Sequence, residues 1–322
     1  MKVWYMTTGE AGFRTQARGL ASALGPEPRE LVVGLRAPWG LLPGAWAAPF
    51  ALSALTPDSD RPAPPWPDVL VTCGRRATAL SIAIRRASRG ATLTVHVQNP
   101  LTAPSAFDLI APMVHDQVSG PNVLNVATAL HDLTPERLTE AAEVWRERLA
   151  EPGRPLIGVM LGGSSRRQPF EAAEATALAT ALRALMRQTG ARLAATPSRR
   201  TPPAARAAFA EAFAGQDDAF VWDMQGDNPY RGILALSDRL VVTGDSVSMV
   251  SEALSTPHPV EVVGLGGGRR HVAFLEGLIA DGLVRPFAGD PQAGPSRTPV
   301  NATEVVAQAV RGLLQARTTV SG

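Results

Sequence analysis

The chain has 322 residues, of which 45% are hydrophobic and 19% are charged, a composition typical of a soluble, well-packed protein. This length exceeds that of one ordinary hydrophobic core and predicts two domains. The formal net charge is only +2, and the sequence pI of about 9.2 reflects how few groups titrate between neutral pH and the arginine range, so nucleic-acid binding is not expected.

Cysteine usage and hydropathy indicate the compartment. Cys73 is the only cysteine, which excludes an internal disulfide framework and suits a reducing cytoplasm. No signal-peptide pattern precedes the strand-like residues 3–6, and no apolar stretch is long enough to span a bilayer. Because arginine, alanine and proline are abundant, as in GC-rich genomes, we expect a bacterial, cytoplasmic protein.

Strands and helices alternate in the first half of the chain, which predicts a parallel sheet with crossover helices. Residues 36–66 interrupt this alternation with many prolines and are expected to be irregular. An amphipathic helix, residues 135–149, leads to the linker-like segment 151–155. The expected strands are residues 2–7, 31–34, 68–73, 92–98 and 109–114, and the other expected helices are residues 15–24 and an alanine-rich helix that ends at Arg89.

The loops that follow these strands carry the candidate acceptor-side residues. Glu10 lies between a strand and a helix, where a partly desolvated carboxylate is able to take a proton from an acceptor hydroxyl; the alternative is a surface glutamate that helps to cap the helix. Arg75 follows the next buried strand and suits an anionic group, unless it belongs to a solvated arginine pair. Gln98 and Asn99 offer amides to hydroxyl groups, or form a plain turn before Pro100. The predicted catalytic residues are thus Glu10 and Arg75, and the predicted acceptor-binding residues are Gly9, Gly12, Arg14, Gln16, Arg76, Gln98 and Asn99.

The second half opens with a loop of the type that binds phosphate. The apolar strand 155–161 runs into Gly162-Gly163-Ser164-Ser165-Arg166-Arg167, and a helix is expected over residues 170–188. Two glycines admit close backbone approach, the hydroxyl groups donate hydrogen bonds, and the arginines add positive charge. The alternative is a flexible turn with solvated arginines.

A second loop of this type follows the β-branched run 240–242, which predicts a buried parallel strand. Thr243-Gly244-Asp245 ends the strand, and a helix with a serine or aspartate cap is expected over residues 246–254. The backbone N–H groups and the positive end of such a helix suit a diphosphate. Glu252 lies about two turns into the helix, within reach of a sugar hydroxyl. An ordinary capped turn with a solvated Glu252 is the alternative.

A third glycine-rich loop, residues 264–268, follows the expected strand 260–263 and precedes Arg270 and His271. It predicts another anion cradle or, alternatively, a loop between domains without ligand contacts. The glycines do not form a Gly-x-Gly-x-x-Gly fingerprint, which argues against a nicotinamide dehydrogenase. The five histidines are scattered and show no metal-ligand spacing, so no metal site is predicted.

These segments resemble the mitochondrial-fission (elongated-mitochondria) family, which comprises plant proteins and bacterial homologues of glycosyltransferase type. The similarity rests on residues 9–16, 98–100, 162–164, 274–287 and, most specifically, the block from Asn228-Pro229-Tyr230 to Glu252. It implies an α/β fold of glycosyltransferase type B, with two Rossmann-like domains facing across a cleft. The implied domains are residues 1–150 on the acceptor side and residues 151–322 on the nucleotide side, with the last helix, 302–314, packing back on the first domain.

The turn from Met249 to Glu252 also resembles the nucleotide-sugar site of the lipid-linked N-acetylglucosaminyltransferase of peptidoglycan synthesis, and this likeness implies that Glu252 holds the ribose. The sequence departs from its family in the first loop: many relatives carry a lysine and a histidine in the stretch that here spans residues 10–13, and Phe13 cannot act as a base. The predicted nucleotide-binding residues are Gly162, Gly163, Ser164, Ser165, Arg166, Asn228, Tyr230, Thr243, Asp245, Ser246, Val247, Ser248, Met249, Glu252, Gly266, Arg270 and His271.

Together these features predict a metal-independent glycosyltransferase. Its donor substrate would be a nucleoside-diphosphate sugar, and no cofactor is expected. The sugar would be transferred to an envelope-type or lipid-linked acceptor. A nucleotide-sugar epimerase on the same fold and a non-catalytic scaffold related to mitochondrial-fission factors are the alternatives. Trp39 and Trp46 lie in an apolar segment broken by prolines, residues 35–52. They either pack on the first domain or a partner subunit, or contact the inner face of the cytoplasmic membrane peripherally.

Overall fold

The computed structural model describes residues 1–164, 169–264 and 268–320. The chain forms two compact units. Unit 1 comprises Met1–Asp132 together with the segment from Asn301 onward, and unit 2 comprises Leu133–Val300.

Parallel strands alternate with helices in both units. In chain order, the elements before residue 133 are β1 (Val3–Thr7), α1 (Ala11–Leu24), β2 (Arg29–Val32), α2 (Gly44–Ala47), β3 (Val69–Cys73), α3 (Thr78–Ala87), β4 (Leu93–Val97) and β5 (Leu109–Ala111). Those of unit 2 are α4 (Pro135–Leu149), β6 (Leu156–Leu161), α5 (Ala172–Thr189), β7 (Arg192–Pro197), α6 (Pro203–Ala212), β8 (Ala219–Val221), α7 (Tyr230–Leu236), β9 (Arg239–Thr243), α8 (Val247–Leu254), β10 (Val260–Val263), α9 (Arg269–Ala280) and β11 (Arg285–Pro286). The final helix, α10 (Ala302–Val320), returns to unit 1.

Unit 1 is a five-stranded sheet in the order β2-β1-β3-β4-β5, and its paired strands run parallel. Successive side chains of β1 pack on opposite faces of the sheet, because side chains alternate along a β-strand. Val3 and Tyr5 pack with α1 and α10, whereas Trp4 and Met6 pack with α3. Helices therefore cover both faces of the sheet.

Unit 2 is a six-stranded sheet in the order β11-β10-β9-β6-β7-β8, again with parallel pairs. Helices α5 and α6 cover one face of it. Trp145 of α4 and Ile233 of α7 lie in a separate cluster with Leu156 and Ala194. Two parallel α/β domains of Rossmann type confirm the predicted fold class.

The observed bounds differ from the predicted ones in places. Helix α1 begins at Ala11 rather than at Thr15, because the N–H of Arg14 already donates to the carbonyl of Glu10 at 2.9 Å. Within the segment expected to be irregular, the short helix α2 and a single 3-10 turn at Ala48–Phe50 form between the prolines. Helix α4 lies in unit 2, where it packs on α7, so the division of the chain falls after Asp132 and not at residue 150. Across the three described ranges, no helix combines the length and apolar character needed to cross a bilayer.

Candidate functional site

The strand order of unit 2 contains a topological switch point between β6 and β9. From β6 the chain proceeds outward to β7 and β8, then returns to β9 and proceeds the other way to β10 and β11. In open parallel sheets, ligands bind outside the carboxyl ends of the strands at such a point. The loops after β6 and β9 are the two glycine-containing loops that the sequence singled out, and the fold places them side by side.

Hydrogen bonds tie these two loops together. The N–H of Gly162 donates to Thr243 Oγ1 at 2.6 Å, and the N–H of Gly163 donates to Asp245 Oδ2 at 2.8 Å. Thr243 Oγ1 in turn donates to Asp245 Oδ1 at 2.7 Å. The Asp245 carboxylate is only 7% exposed and joins the two loops at the switch point. Both glycine N–H groups therefore bond to side chains of the loop after β9.

A third loop, residues 198–201 after β7, converges on the same place and is not among the predicted site residues. Thr201 Oγ1 and the N–H of Ser198 both donate to the carbonyl of Leu161, at 2.9 and 2.8 Å. The Arg200 guanidinium lies 3.3 Å from Asp245 Oδ2, and its side chain is 61% exposed. The signal was present in the sequence, since Ser198-Arg199-Arg200-Thr201 directly follows the strand Arg192–Pro197.

Helix α8 begins at the switch point. Ser246 is its N-cap, and Ser246 Oγ accepts the N–H of Met249 at 3.4 Å. The N–H groups of Val247 and Ser248 lie in the first turn, where helical geometry provides no carbonyl partner. Unpartnered N–H groups at a helix start suit an anion. That residues 245–249 bind one stays a prediction.

Glu252 lies further along α8 and is held by a tyrosine. Tyr230, the first residue of α7, donates its hydroxyl hydrogen to Glu252 Oε2. Burial raises the pKa of Tyr230 well above its ordinary value, and the charge of Glu252 and their hydrogen bond raise it further. Asn228 supports this tyrosine, because Asn228 Oδ1 accepts the N–H of Tyr230 at 2.9 Å. The most specific block of the family resemblance thus forms one connected group.

The start of helix α5 is filled by the chain's own carboxylates. Glu171 and Glu174 form a capping box there, and the N–H of Glu171 donates to Glu174 Oε2 at 3.0 Å. Ser164 Oγ accepts the N–H of Phe170 at 2.8 Å and closes the loop on itself. Residues 162–164 therefore bond both to the loop after β9 and to the start of α5, and their role in phosphate binding stays a prediction. Ser165, Arg166 and Gly266 lie outside the described residues. Arg270 and His271 lie in the first turn of α9.

Unit 1 has its own switch point, between β1 and β3, where the strand order also reverses. Glu10 ends the loop after β1 and accepts a hydrogen bond from the Thr8 hydroxyl. Phe13 fills the space beside Gly74, the residue that follows β3: a Cβ on Gly74 would lie 2.8 Å from the Phe13 ring. Arg75 and Arg76 follow Gly74 and are exposed. The structure therefore brings the two predicted catalytic residues to one edge of this sheet.

The thiol of Cys73 belongs to the same edge. Burial raises the pKa of Cys73, the N–H of Gly74 lowers it, and the charge of Glu10 raises it. The thiol is therefore protonated at neutral pH and acts as a small apolar side chain.

The remaining acceptor-side residues are more dispersed. Arg14 donates from Nε to Glu30 Oε1 at 2.6 Å and from Nη2 to Glu30 Oε2 at 2.8 Å. These hydrogen bonds lower the pKa of Glu30. Gln16 is buried in α1, and Gly12 lies within the first turn of that helix. Asn99 Oδ1 accepts the N–H of Leu101 at 2.8 Å in a tight turn after β4, next to Gln98 with its positive φ of 77°. Their roles toward an acceptor stay predictions.

Within the described ranges, no three side chains among His, Cys, Asp and Glu approach closely enough to hold a metal ion. His96 is fully buried and its Nδ1 lies 2.9 Å from Thr72 Oγ1; burial lowers the pKa of His96 to about 3. It is therefore a neutral core side chain.

Comparison with known proteins identifies the family. A family model described as mitochondrial fission ELM1 matches residues 11–314. The mitochondrial fission protein ELM1 of Arabidopsis thaliana is 30% identical over 277 residues, which cover 78% of this chain. The chain spans 65% of the length of that relative.

Two solved structures share the architecture over nearly the whole chain. The UDP-GlcNAc 2-epimerase from Methanocaldococcus jannaschii has a TM-score of 0.59 at 11% identity, covering 97% of this chain and 99% of that one. MurG of Acinetobacter baumannii has a TM-score of 0.50 at 14% identity, covering 98% and 91%. At this identity both likenesses concern the fold alone, which is that of glycosyltransferase type B. With the family model matching almost from end to end, the chain belongs to the mitochondrial fission ELM1 family.

Proposed function

We propose that this protein is a glycosyltransferase whose nucleoside-diphosphate sugar binds at the switch point of unit 2. The observation that carries the proposal is the convergence there of three loops and a helix start, with an exposed arginine beside them. The names of the fold neighbours add support, since one is an epimerase of UDP-GlcNAc.

The charges at this edge suit a diphosphate. Helix α8 presents its positive end, and Arg200 adds a full charge. The Arg200 side chain is 61% exposed, so its guanidinium is able to turn from Asp245 to a phosphate oxygen. Asp245 keeps its donors from Gly163 and Thr243 when this happens. The Glu252 carboxylate, oriented by Tyr230, accepts hydrogen bonds from sugar hydroxyls.

In the proposed reaction, the bond between the anomeric carbon and the diphosphate oxygen breaks, and the acceptor hydroxyl oxygen bonds to that carbon. A general base takes the acceptor proton, a role that the sequence predicts for Glu10, and the positive groups of unit 2 stabilise the departing diphosphate. The acceptor is a sugar or a lipid-linked, envelope-type molecule. Metal independence belongs to the proposal, because α8 and Arg200 supply the positive charge.

Replacing Arg200 with alanine should weaken nucleoside-diphosphate binding about 10-fold or more, since a hydrogen bond to a charged group is worth roughly 1.5–3 kcal/mol. Titration calorimetry with UDP, ADP, GDP, CDP and dTDP measures the effect. Arg183→Ala, which removes the same charge from the exposed face of α5, is the control and should leave the affinity unchanged. Wild-type protein that binds none of these nucleotides at millimolar concentration would refute the proposed function.

Two other functions share these features in part. A nucleotide-sugar epimerase is favoured by the fold neighbour with the TM-score of 0.59. A non-catalytic scaffold is favoured by Phe13, which packs against Gly74 and lies in the loop where the family resemblance implies a histidine. Incubation with UDP-GlcNAc distinguishes the three functions. An epimerase inverts the configuration at one sugar carbon without an acceptor, and a transferase releases UDP when an acceptor is added. A scaffold does neither.

Peripheral membrane contact through unit 1 is part of the proposal. Leu41 and Trp46 are 73% and 71% exposed, in a segment whose Gly44 packs against Thr78 at the start of α3. The exposed Arg75 and Arg76 precede that helix and supply charge for anionic headgroups. Trp39 instead stacks on Phe50 with ring centroids 4.1 Å apart and joins the core behind it.

The double variant Leu41→Ser, Trp46→Ser should lose most of its binding to anionic vesicles, because two large apolar side chains no longer enter the interface. Co-sedimentation with vesicles of phosphatidylglycerol and phosphatidylcholine measures this. Val144→Ser on α4, which removes a side chain 71% exposed in unit 2, is the control. If the wild-type protein stays in the supernatant, the membrane contact is wrong.

A further inference from the structure

The end of helix α3 lines a cavity in unit 1, at the edge of the sheet where the strands begin. The cavity has a volume of about 550 Å³, which falls in the range of small-ligand sites. Ile82 and Ala106 supply its apolar lining and belong to the cluster around Phe107. The polar side chains that line it are those of Arg85, Arg86, Arg89 and Ser105.

The positive charge of this cavity exceeds the negative charge around it. Among the described residues that line it, none is acidic. Arg85 donates to Asp108 Oδ1 at 3.0 Å, but the same oxygen also pairs with Arg317 at 2.8 Å. The side chains of Arg86 and Arg89 are exposed and form no hydrogen bond or ion pair within the part of the chain that the structure describes. The cavity therefore favours a ligand with more than one negative charge.

The end of α3 does not need these arginines as a helix cap. Basic side chains near a helix C-terminus commonly bond to its last carbonyl groups. Here the carbonyl of Arg85 accepts the N–H of Gly90 at 2.9 Å. The carbonyl of Arg86 accepts the N–H of Arg89 at 3.0 Å. Because the backbone already satisfies these carbonyls, the guanidinium groups are available to a ligand.

Arg89 has a backbone conformation that glycine adopts with less strain. Its φ is 53°, and Gly90 follows with a φ of 79°. Long side chains rarely occupy the left-handed region, and residues held there cluster at ligand sites. The turn nevertheless carries an arginine, whose side chain lines the cavity next to Arg86. This strain is independent of the charge and points to the same place.

We propose that this cavity is a separate anion site, which binds the phosphate group of a small molecule. Guanidinium groups form paired hydrogen bonds with phosphate oxygens, and a phosphate monoester carries close to two negative charges at neutral pH. Ile82 and Ala106 offer an apolar surface to the rest of the ligand. Glu10 and Gly74 lie at the opposite edge of the same sheet, so the inference does not depend on the proposed function.

Inorganic pyrophosphate is the probe for this site. An Arg200→Ala background weakens the candidate site of unit 2, and the further change Arg86→Gln, Arg89→Gln should lower pyrophosphate affinity at least 10-fold in calorimetry. The matched control in that background is Arg183→Gln, Arg187→Gln, which removes two charges from the exposed face of α5 and should leave the affinity unchanged. Phenylglyoxal, a reagent that modifies arginine, gives a second measurement: pyrophosphate should protect Arg86 and Arg89 in peptide mass spectra of the protein without substitutions.

The source of the phosphate is decided by co-sedimentation with vesicles of phosphatidic acid and phosphatidylcholine. Loss of pyrophosphate affinity with unchanged co-sedimentation supports a free phosphorylated molecule, and loss of both supports a lipid headgroup. Equal pyrophosphate affinity in the Arg86→Gln, Arg89→Gln variant and its control would overturn the inference and leave the proposed function in place. Modification of both arginines at the same rate with and without pyrophosphate would overturn it as well.

Discussion

Replacing Gly162 with alanine should abolish nucleotide binding and lower the free energy of unfolding by about 1–3 kcal/mol, the usual cost of overpacking. A methyl group at this position would overlap the Asp245 carboxylate, which is held in place by Gly163 and Thr243. That carboxylate has nowhere to move without breaking the contact between the loops after β6 and β9. Calorimetry with the best nucleotide and urea unfolding measure the two effects.

Gly277→Ala is the matched control for this change. Gly277 lies inside α9, and a Cβ built there meets no atom within 4 Å. Alanine should therefore raise the free energy of unfolding by about 0.5–1 kcal/mol, through helix propensity, and leave nucleotide affinity unchanged. A Gly162→Ala variant that bound nucleotide like Gly277→Ala would show that the loop closure is not part of the ligand site.

Local patterns in the sequence predicted much of this site. The apolar runs before Gly162 and Thr243 identified β6 and β9, and Ser246 marked the start of α8. Each of these signals lies within a few residues of the feature that it predicts. The capping box of Glu171 and Glu174 is equally local, since its two side chains lie three residues apart at the start of α5.

Features made by distant residues could not be predicted in this way. The hydrogen bond between Gly163 and Asp245 joins positions 82 residues apart, and no spacing rule connects them. Arg200 gains its place only because β7 lies next to β6 in the sheet. Trp222 lines a cavity at the ends of β6, β7 and β8, so its surroundings depend on the strand order and not on its neighbours in the chain.

Three neighbouring strands of the unit 2 sheet, β9, β10 and β11, are joined by ion pairs to one buried glutamate. Glu261 of β10 is 1% exposed and accepts hydrogen bonds from Arg239 of β9 at 2.5 Å and Arg285 of β11 at 2.8 Å. Arg239 is 4% exposed and also donates to the carbonyl of Asp290 at 2.6 Å. These groups lie near the amino ends of their strands, away from the candidate ligand site, so their removal tests stability separately from binding.

Glu261→Gln should lower the free energy of unfolding by about 3–5 kcal/mol, because it leaves the Arg239 guanidinium buried without a counter-charge. Urea unfolding of the full chain, followed by circular dichroism, measures this. Glu304→Gln is the control: its pair with Arg311 is exposed on both sides and should be worth at most about 1 kcal/mol.

A second variant separates the lost charge from the lost packing. In Arg239→Met, Glu261→Leu both buried charges are replaced by apolar side chains of similar volume, and much of the stability should return, since such replacements are often neutral. Arg285, at 36% exposure, remains accessible to water when its partner is removed. If the single variant were as stable as the wild type, Arg239 would have to find solvent or another acceptor at its buried position. The ion pair would then contribute to the register of β9 and β10 without contributing to stability.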